Sequence, residues 1–210
     1  VKIYKDITQG SPEWLLIRKG RPTASRFGDV FTPTGKVSAS SMAYIRELIA
    51  ECFCPDFPTW GGNAATDRGV ELEPLARDAF GKHTGLTLEQ VGFVISDDGV
   101  CGCSPDSLVV KDGHHIAGVE IKCPAPKAHV SYVLDGALPD VYKQQVHGSL
   151  AITGLPCWHF FSFFPGLQPL HIIVTRNEYT ELLSQRLADF VATYKAEMAD
   201  AVPELKLNPQ

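Results

Sequence analysis

The stretch from Cys101 to Pro124, CGCSPDSLVVKDGHHIAGVEIKCP, constrains this chain most, because it reads as a β-hairpin with an acid on each arm. Asp112-Gly113 is a strong hairpin turn signal. Side chains alternate along a strand, so Glu120 and Lys122 share one face while Val119, Ile121 and Cys123 point into a core. A three-residue loop, Asp112 to His114, would pair Lys111 with His115 and set Asp106 directly opposite Glu120. Carboxylates so placed lie roughly 4.5–5.5 Å apart at Cβ and repel each other. A hard divalent cation between them removes the conflict. A two-residue loop would put the two acids on opposite faces. On the three-residue reading, the hairpin predicts a metal site with a lysine beside it.

The length of 210 residues suits one domain spanning 1–210 with a sizeable core. No apolar run approaches the length of a membrane span. No stretch resembles a cleavable leader, and the start at Val1 fits a chain whose initiating residues are missing. A soluble cytoplasmic protein is the expectation. Of the six cysteines, none forms a C-x-x-C pair, so they read as small hydrophobes rather than a zinc knuckle.

A net charge of −5 does not advertise a nucleic-acid binder, but its distribution is uneven. Residues 1–46 carry eight Lys and Arg against three acids, or +5, which leaves −10 for the remainder. Such asymmetry points to an anionic partner near the N-terminal part, against the alternative of a solvated basic face. Ser11-Pro12-Glu13 opens a short helix that ends near Arg18 and Gly20. Thr23-Ala24-Ser25 offers a second capping pattern. A helix start with a hydroxyl and a nearby arginine makes an anion pocket of Arg18 and Ser25. The competing reading is that Ser25 caps and Arg18 complements a helix C-terminus.

Periodicity predicts helices over 38–53, 66–83, 139–153 and from Asn177 to about Ala199, with a loose tail after Pro203. Residues 55–63 and 124–139 read as loops, and 88–95, 157–164 and 170–175 as strands, the aromatic 157–164 run buried on both faces. In the 66–83 helix, Leu72, Leu75, Ala76, Ala79, Phe80 and His83 form the buried stripe. Glu73 borders that stripe and is either a ligand or a partner of Arg77 at i+4; spacing favours the pair. Gln145 sits amid Val141, Gly148 and Ile152, so its amide needs a partner: the acidic cluster, a phosphate or the backbone. Helices flanking a mixed central sheet make the architecture α/β or α+β, with α/β the reading adopted.

Five motifs then occur in order: SPEW-x3-R-x-G-x3-TAS from Ser11, G-x3-E-x2-A from Gly69, CSPD at 103–106, EIKCP at 120–124 and Y-x2-QVH at 142–147. Together they resemble the YqaJ-type viral recombinases, the group containing lambda exonuclease, within the PD-(D/E)XK nucleases. The resemblance implies a restriction-endonuclease-like core and a Mg²⁺-dependent exonuclease, with Mn²⁺ able to substitute. Such an enzyme digests one strand of linear duplex DNA from its 5′ end and leaves a 3′ overhang for strand annealing. It implies Glu73, Asp106, Glu120 and the Ile121 carbonyl as metal ligands, Lys122 acting on the water nucleophile, and Gln145 supporting the site. Arg18 and Ser25 would bind the 5′-phosphate. A ring-shaped homotrimer around DNA ends, a single-strand annealing partner and a bacterial or phage-infected cell complete what the family implies. An acid in the turn before the hairpin has two candidates, Asp97 and Asp98. A site- or structure-specific endonuclease of the same fold and a non-catalytic DNA-binding recombination protein are the alternatives.

Overall fold

Strand β6 (His114–Lys122) is the spine of a five-stranded sheet ordered β2-β5-β6-β7-β8. The computed structural model describes residues 1–54 and 64–205. Antiparallel pairing joins β2 (Thr87–Glu89) to β5 (Ser107–Lys111), β5 to β6, and β7 (Cys157–Ser162) to β8 (Leu170–Thr175). The β6–β7 pair is parallel, which makes the sheet mixed. A parallel connection needs a crossover, and two helices supply it: α5 (Pro126–Asp135) and α6 (Asp140–Thr153). A second, three-stranded sheet holds β1 (Lys2–Tyr4), β3 (Phe93–Ile95) and β4 (Gly102–Cys103).

The pleat sorts the residues of β6 and β7 into two cores. Val119 and Ile121 pack with Phe161, Ala76 and Phe80 under α4 (Ala64–Thr84). Trp158 and Phe160 point the other way, into a larger core with Phe27, Leu48, Val146, Leu150, Leu183 and Phe190. That second layer is built by α6, α3 (Ser41–Phe53) and α7 (Glu178–Leu205). Gly118 faces Trp158, and a Cβ there would lie 2.2 Å from the indole ring, so the glycine makes room for the tryptophan. α1 (Pro12–Arg18) begins as expected, with the Ser11 hydroxyl accepting from Trp14 N at 3.2 Å.

Several expectations are corrected. The single strand over 88–95 is two, β2 and β3, in different sheets, broken where Gly92 approaches the Ile7 backbone too closely for any side chain. The 124–139 segment is not all loop, since Pro126 starts α5 and Gly136 ends it at φ +61°. Thr23-Ala24-Ser25 does not cap a regular helix. It leads into a 3-10 turn (Ala24–Arg26) and the four-residue α2 (Phe27–Val30), without a side-chain cap. His83 is exposed and Leu75 is half exposed, so neither belongs to a buried stripe. Val141 is also exposed, and the fully buried amide of α6 is Gln144, bonded to Phe31 O at 3.1 Å. Helix α7 continues through Pro203 to Leu205. The loop expected at 55–63 and the last five residues lie outside the described residues.

The hairpin carries the most informative correction. Its turn has two residues, not three: Lys111 pairs with His114, and Asp112 and Gly113 take φ +52° and +77°. That turn alone would separate the acids. A bulge beside Val109 and Val110 inserts one extra residue on β6, so Ser107 pairs with Val119. Continuing that register, Asp106 stands opposite Glu120, as expected, but by a different route.

Candidate active site

Just before β5 begins, the Asp106 side chain extends the strand's hydrogen-bonding. Asp106 N donates to Val119 O at 3.1 Å, and the Asp106 carboxylate accepts from Ile121 N. A strand residue points its N–H and C=O to the same side. The Ile121 carbonyl therefore faces the Asp106 side of β6. On the other pleat of the strand, Glu120 is 3% exposed. One of its oxygens, Oε1, meets Lys122 Nζ at 2.6 Å and Gln145 Nε2 at 2.6 Å. Helix α6 thus presents Gln145 to the acid, the first of the three partners its position allowed.

Burial pushes the Asp106 carboxyl well above the usual carboxylate range, and repulsion from Glu120 and then Glu73 adds to it; Lys122 and the Ile121 N–H oppose. Burial works against the Lys122 ammonium, but Glu120 and Asp106 outweigh it and hold the lysine above its ordinary pKa. The lysine also stands 5.2 Å over the Tyr142 ring, whose phenol burial pushes up to about 12.

A cleft of about 180 Å³ collects Asp106, Glu120, Lys122 and Gln145 with Arg18, Ser25, Trp14 and Ser104. Six of the eight residues singled out from sequence thus line one space. Arg18 Nη1 donates to Ser104 Oγ at 3.2 Å, and Nη2 donates to Thr23 Oγ1 at 3.3 Å and Ser25 Oγ at 3.5 Å. Its guanidinium stacks 4.2 Å over Trp14, whose indole N–H donates to Ser104 Oγ at 3.0 Å. Burial lowers the Arg18 pKa from its high ordinary value. Behind it, Arg21, Arg26, Thr23 and Tyr44 line an adjoining cavity of about 190 Å³ with Glu51. Three arginines and three hydroxyls (Thr23, Ser25 and Tyr44) on one small space suit an anion.

Glu73 does not line this cleft. It pairs with Arg77, the outcome its spacing favoured, and lines an adjoining cavity of about 660 Å³ that shares Gln9, Trp14 and Asp106 with the cleft. Among the described residues, no three of His, Cys, Asp and Glu converge closely enough to hold a metal ion. Asp97 and Asp98 lie elsewhere, at a cavity against α6 and α7. Ser104, Trp14 and Thr23 were missed as site residues. Trp14 and Arg18 sit at i and i+4 on α1, a spacing that could have suggested their stacking. The donors present still fit a hard cation: two apposed carboxylates, an available backbone carbonyl, and an Asp106 carboxylate with no cation of its own.

The model of the YqaJ-like viral recombinase domain matches residues 13–156. The chain is similar to the alkaline exonuclease LHK-Exo from Laribacter hongkongensis, at 30% identity over 92% of this chain and 97% of that one, with a TM-score of 0.81. The complex of LHK-Exo with dAMP gives a TM-score of 0.74, at 30% identity over 92% of this chain and 99% of that chain. In fold alone, the chain resembles a phage related exonuclease from Haemophilus somnus 129PT, 15% identical over 86% of this chain and 96% of that one, with a TM-score of 0.65. No curated protein sequence matches it significantly. The fold is the restriction-endonuclease-like one expected from sequence. With 144 consecutive positions matched by the family model and a 30% identical structure aligned almost end to end, the chain belongs to the YqaJ-like viral recombinase family.

Proposed function

We propose that this protein is a phage-type DNA exonuclease that hydrolyses one strand of linear duplex DNA from its 5′ end. The resulting 3′ single strand would serve recombination by annealing. The observation that carries this reading is the shared cleft: Arg18 and Ser25 line the same space as Asp106, Glu120 and Lys122. A pocket for a terminal phosphate beside hydrolytic carboxylates sets the cut at a fixed distance from an end. The family match and the similarity to an alkaline exonuclease support a nuclease.

Asp106, Glu120 and the Ile121 carbonyl would hold Mg²⁺, with Glu73 joining from α4, and Mn²⁺ could replace it at an oxygen-only site. When bound, such a cation supplies Lewis acidity toward the phosphate and acidifies water. Lys122, held charged beside Glu120, orients the attacking water through its N–H donors and steadies charge that develops on the phosphate. Gln145 fixes the Glu120 rotamer. Arg18, backed by Thr23, Ser25 and Ser104, grips the terminal phosphate and so favours ends that carry it. Contacts to the rest of the duplex are to phosphate and carry no sequence preference. The reading includes a ring of three copies around DNA and an annealing partner. Helices α5 and α6 leave Leu134 and Val141 exposed at 81% and 71%, apolar surface of the kind subunit contacts cover.

The test is digestion of linear duplex labelled at either its 5′ or its 3′ end, with Mg²⁺, beside nicked and covalently closed circles. Early release of the 5′ label and resistance of closed circles are expected. Early release of the 3′ label would reverse the polarity, and cutting of closed circles would make the protein an endonuclease.

A further inference from the structure

Three acids crowd the start of β5, and two already have a cation from the chain itself. Lys122 serves Glu120, and Arg77 serves Glu73. Only Asp106 is left with a backbone N–H as the partner of its carboxylate.

The Glu73–Arg77 pair differs from an ordinary i,i+4 pair on a wet helix, which contributes little. Arg77 is 18% exposed along its side chain and is fixed from outside its own helix. Its Nε donates to Ser107 Oγ at 3.2 Å, and that hydroxyl donates in turn to Asp106 O at 2.6 Å. With the Gln90 amide oxygen turned toward the guanidinium, Gln90 accepts from all three nitrogens at 2.6–3.3 Å. The fork is therefore anchored to β5 and to the β2–β3 connection. Glu73 is held only at its tip, is 32% exposed, and lines the same cavity as Asp106. Rotation of its side chain would move the carboxylate without disturbing the arginine's other bonds.

We infer that Arg77 is a positioning residue that holds Glu73 out of the cation site, so that Glu73 is an exchangeable ligand which an incoming cation must take from a guanidinium. This inference rests on the metal reading of Asp106 and Glu120. It accounts for the lack, among the described residues, of a three-acid cluster where the acids to form one lie close by. It also makes cation affinity a property of α4 as well as of the hairpin, because Arg77 sets the cost of the third ligand.

The test is Mn²⁺ binding to the DNA-free protein, followed by electron paramagnetic resonance, for wild type, Arg77→Gln, Glu73→Gln and the double variant. Arg77→Gln should tighten Mn²⁺ by about tenfold, the scale of one charge-assisted contact no longer competing. In the Glu73→Gln background the same change should do nothing beyond about twofold, because the coupling runs through Glu73. Unchanged or weaker binding by Arg77→Gln overturns the inference. Equal tightening in both backgrounds overturns it too, since that is the signature of a general field. If Arg77→Gln does not fold, Arg77→Lys keeps the charge and loses the fork. It should tighten Mn²⁺ by a few-fold, and equality with wild type counts against the inference. A wild type that binds no Mn²⁺ overturns the metal reading itself, whereas binding without the Arg77 effect overturns only the exchange.

Discussion

Replacing Lys122 by methionine removes a charge while nearly conserving volume, so the effect is electrostatic rather than a cavity. Lys122 Nζ lies 2.6 Å from Glu120 Oε1, and the two side chains are 26% and 4% exposed. Breaking a buried pair from one side costs roughly 3–5 kcal/mol, because the remaining charge is stranded. Here Gln145 still donates to Glu120 and the lysine end is partly open to solvent. The cost should fall at the low end, about 3 kcal/mol. Urea unfolding in chelator should show it as a lower midpoint at unchanged slope. A divalent cation should narrow the gap, since it substitutes for the missing positive charge and binds only the folded chain. Hydrolysis should fall by at least about 100-fold, the lower end for removing a donor that steadies developing charge. Binding to DNA ends should persist, because Arg18 and Ser25 are untouched. Hydrolysis within a few-fold of wild type would remove the lysine from the chemistry. Unchanged stability in chelator would refute the argument that it neutralises Glu120.

Arg18→Gln should erase a preference for 5′-phosphorylated over 5′-hydroxyl ends of about 10- to 100-fold, measured as initial rates; equal rates in the wild type would leave Arg18 a structural residue. Gly118→Ala should lower stability by about 2 kcal/mol in thermal melts, because the new methyl meets a Trp158 ring that is fully buried and cannot swing away. An unshifted melt would show that the sheet yields there. Burial, helped by Lys143 for His147 and by His171 for His159, holds both imidazoles at about 4. Unfolded histidines titrate near 6.5, so between these values the unfolded chain binds more protons. The contribution is complete above about pH 6.5 and is lost as pH falls toward 4, at about 2 kcal/mol per ring after solvent screening. His159→Gln should flatten the dependence of the urea midpoint in that window, and an identical slope would refute the assignment.

The elements that could be read from sequence are those with local signals. Ser11-Pro12 capping, the period of α3, the Gly154 stop and the aromatic run of β7 act within a few residues, and each element formed as expected. Glu120 and Lys122 share a face by strand alternation alone, but counting set Asp106 opposite Glu120 only because the bulge restores the offset of a three-residue turn. What escaped is set by tertiary contact. The Ile7 backbone splits the 88–95 run at Gly92, and packing fixes which α6 glutamine is buried. Ser104 and Thr23 acquire a role only where Arg18 meets them. Gln145 could be flagged as a polar residue among apolar neighbours, but only the fold selects Glu120 as its partner.

The bulge in the hairpin behaves like a dislocation in a crystal. A two-residue turn with one extra residue on β6 and a three-residue turn with none give the same offset below Val109. The defect could therefore glide between the tip and Val109 without moving Asp106 relative to Glu120. What pins it is the contact of His115 Nε2 with Glu89 on β2, at 2.5 Å. The tip of this hairpin can thus tolerate insertions and deletions that its base cannot, and the chemistry at the base depends on the net offset between the two arms rather than on how the tip supplies it.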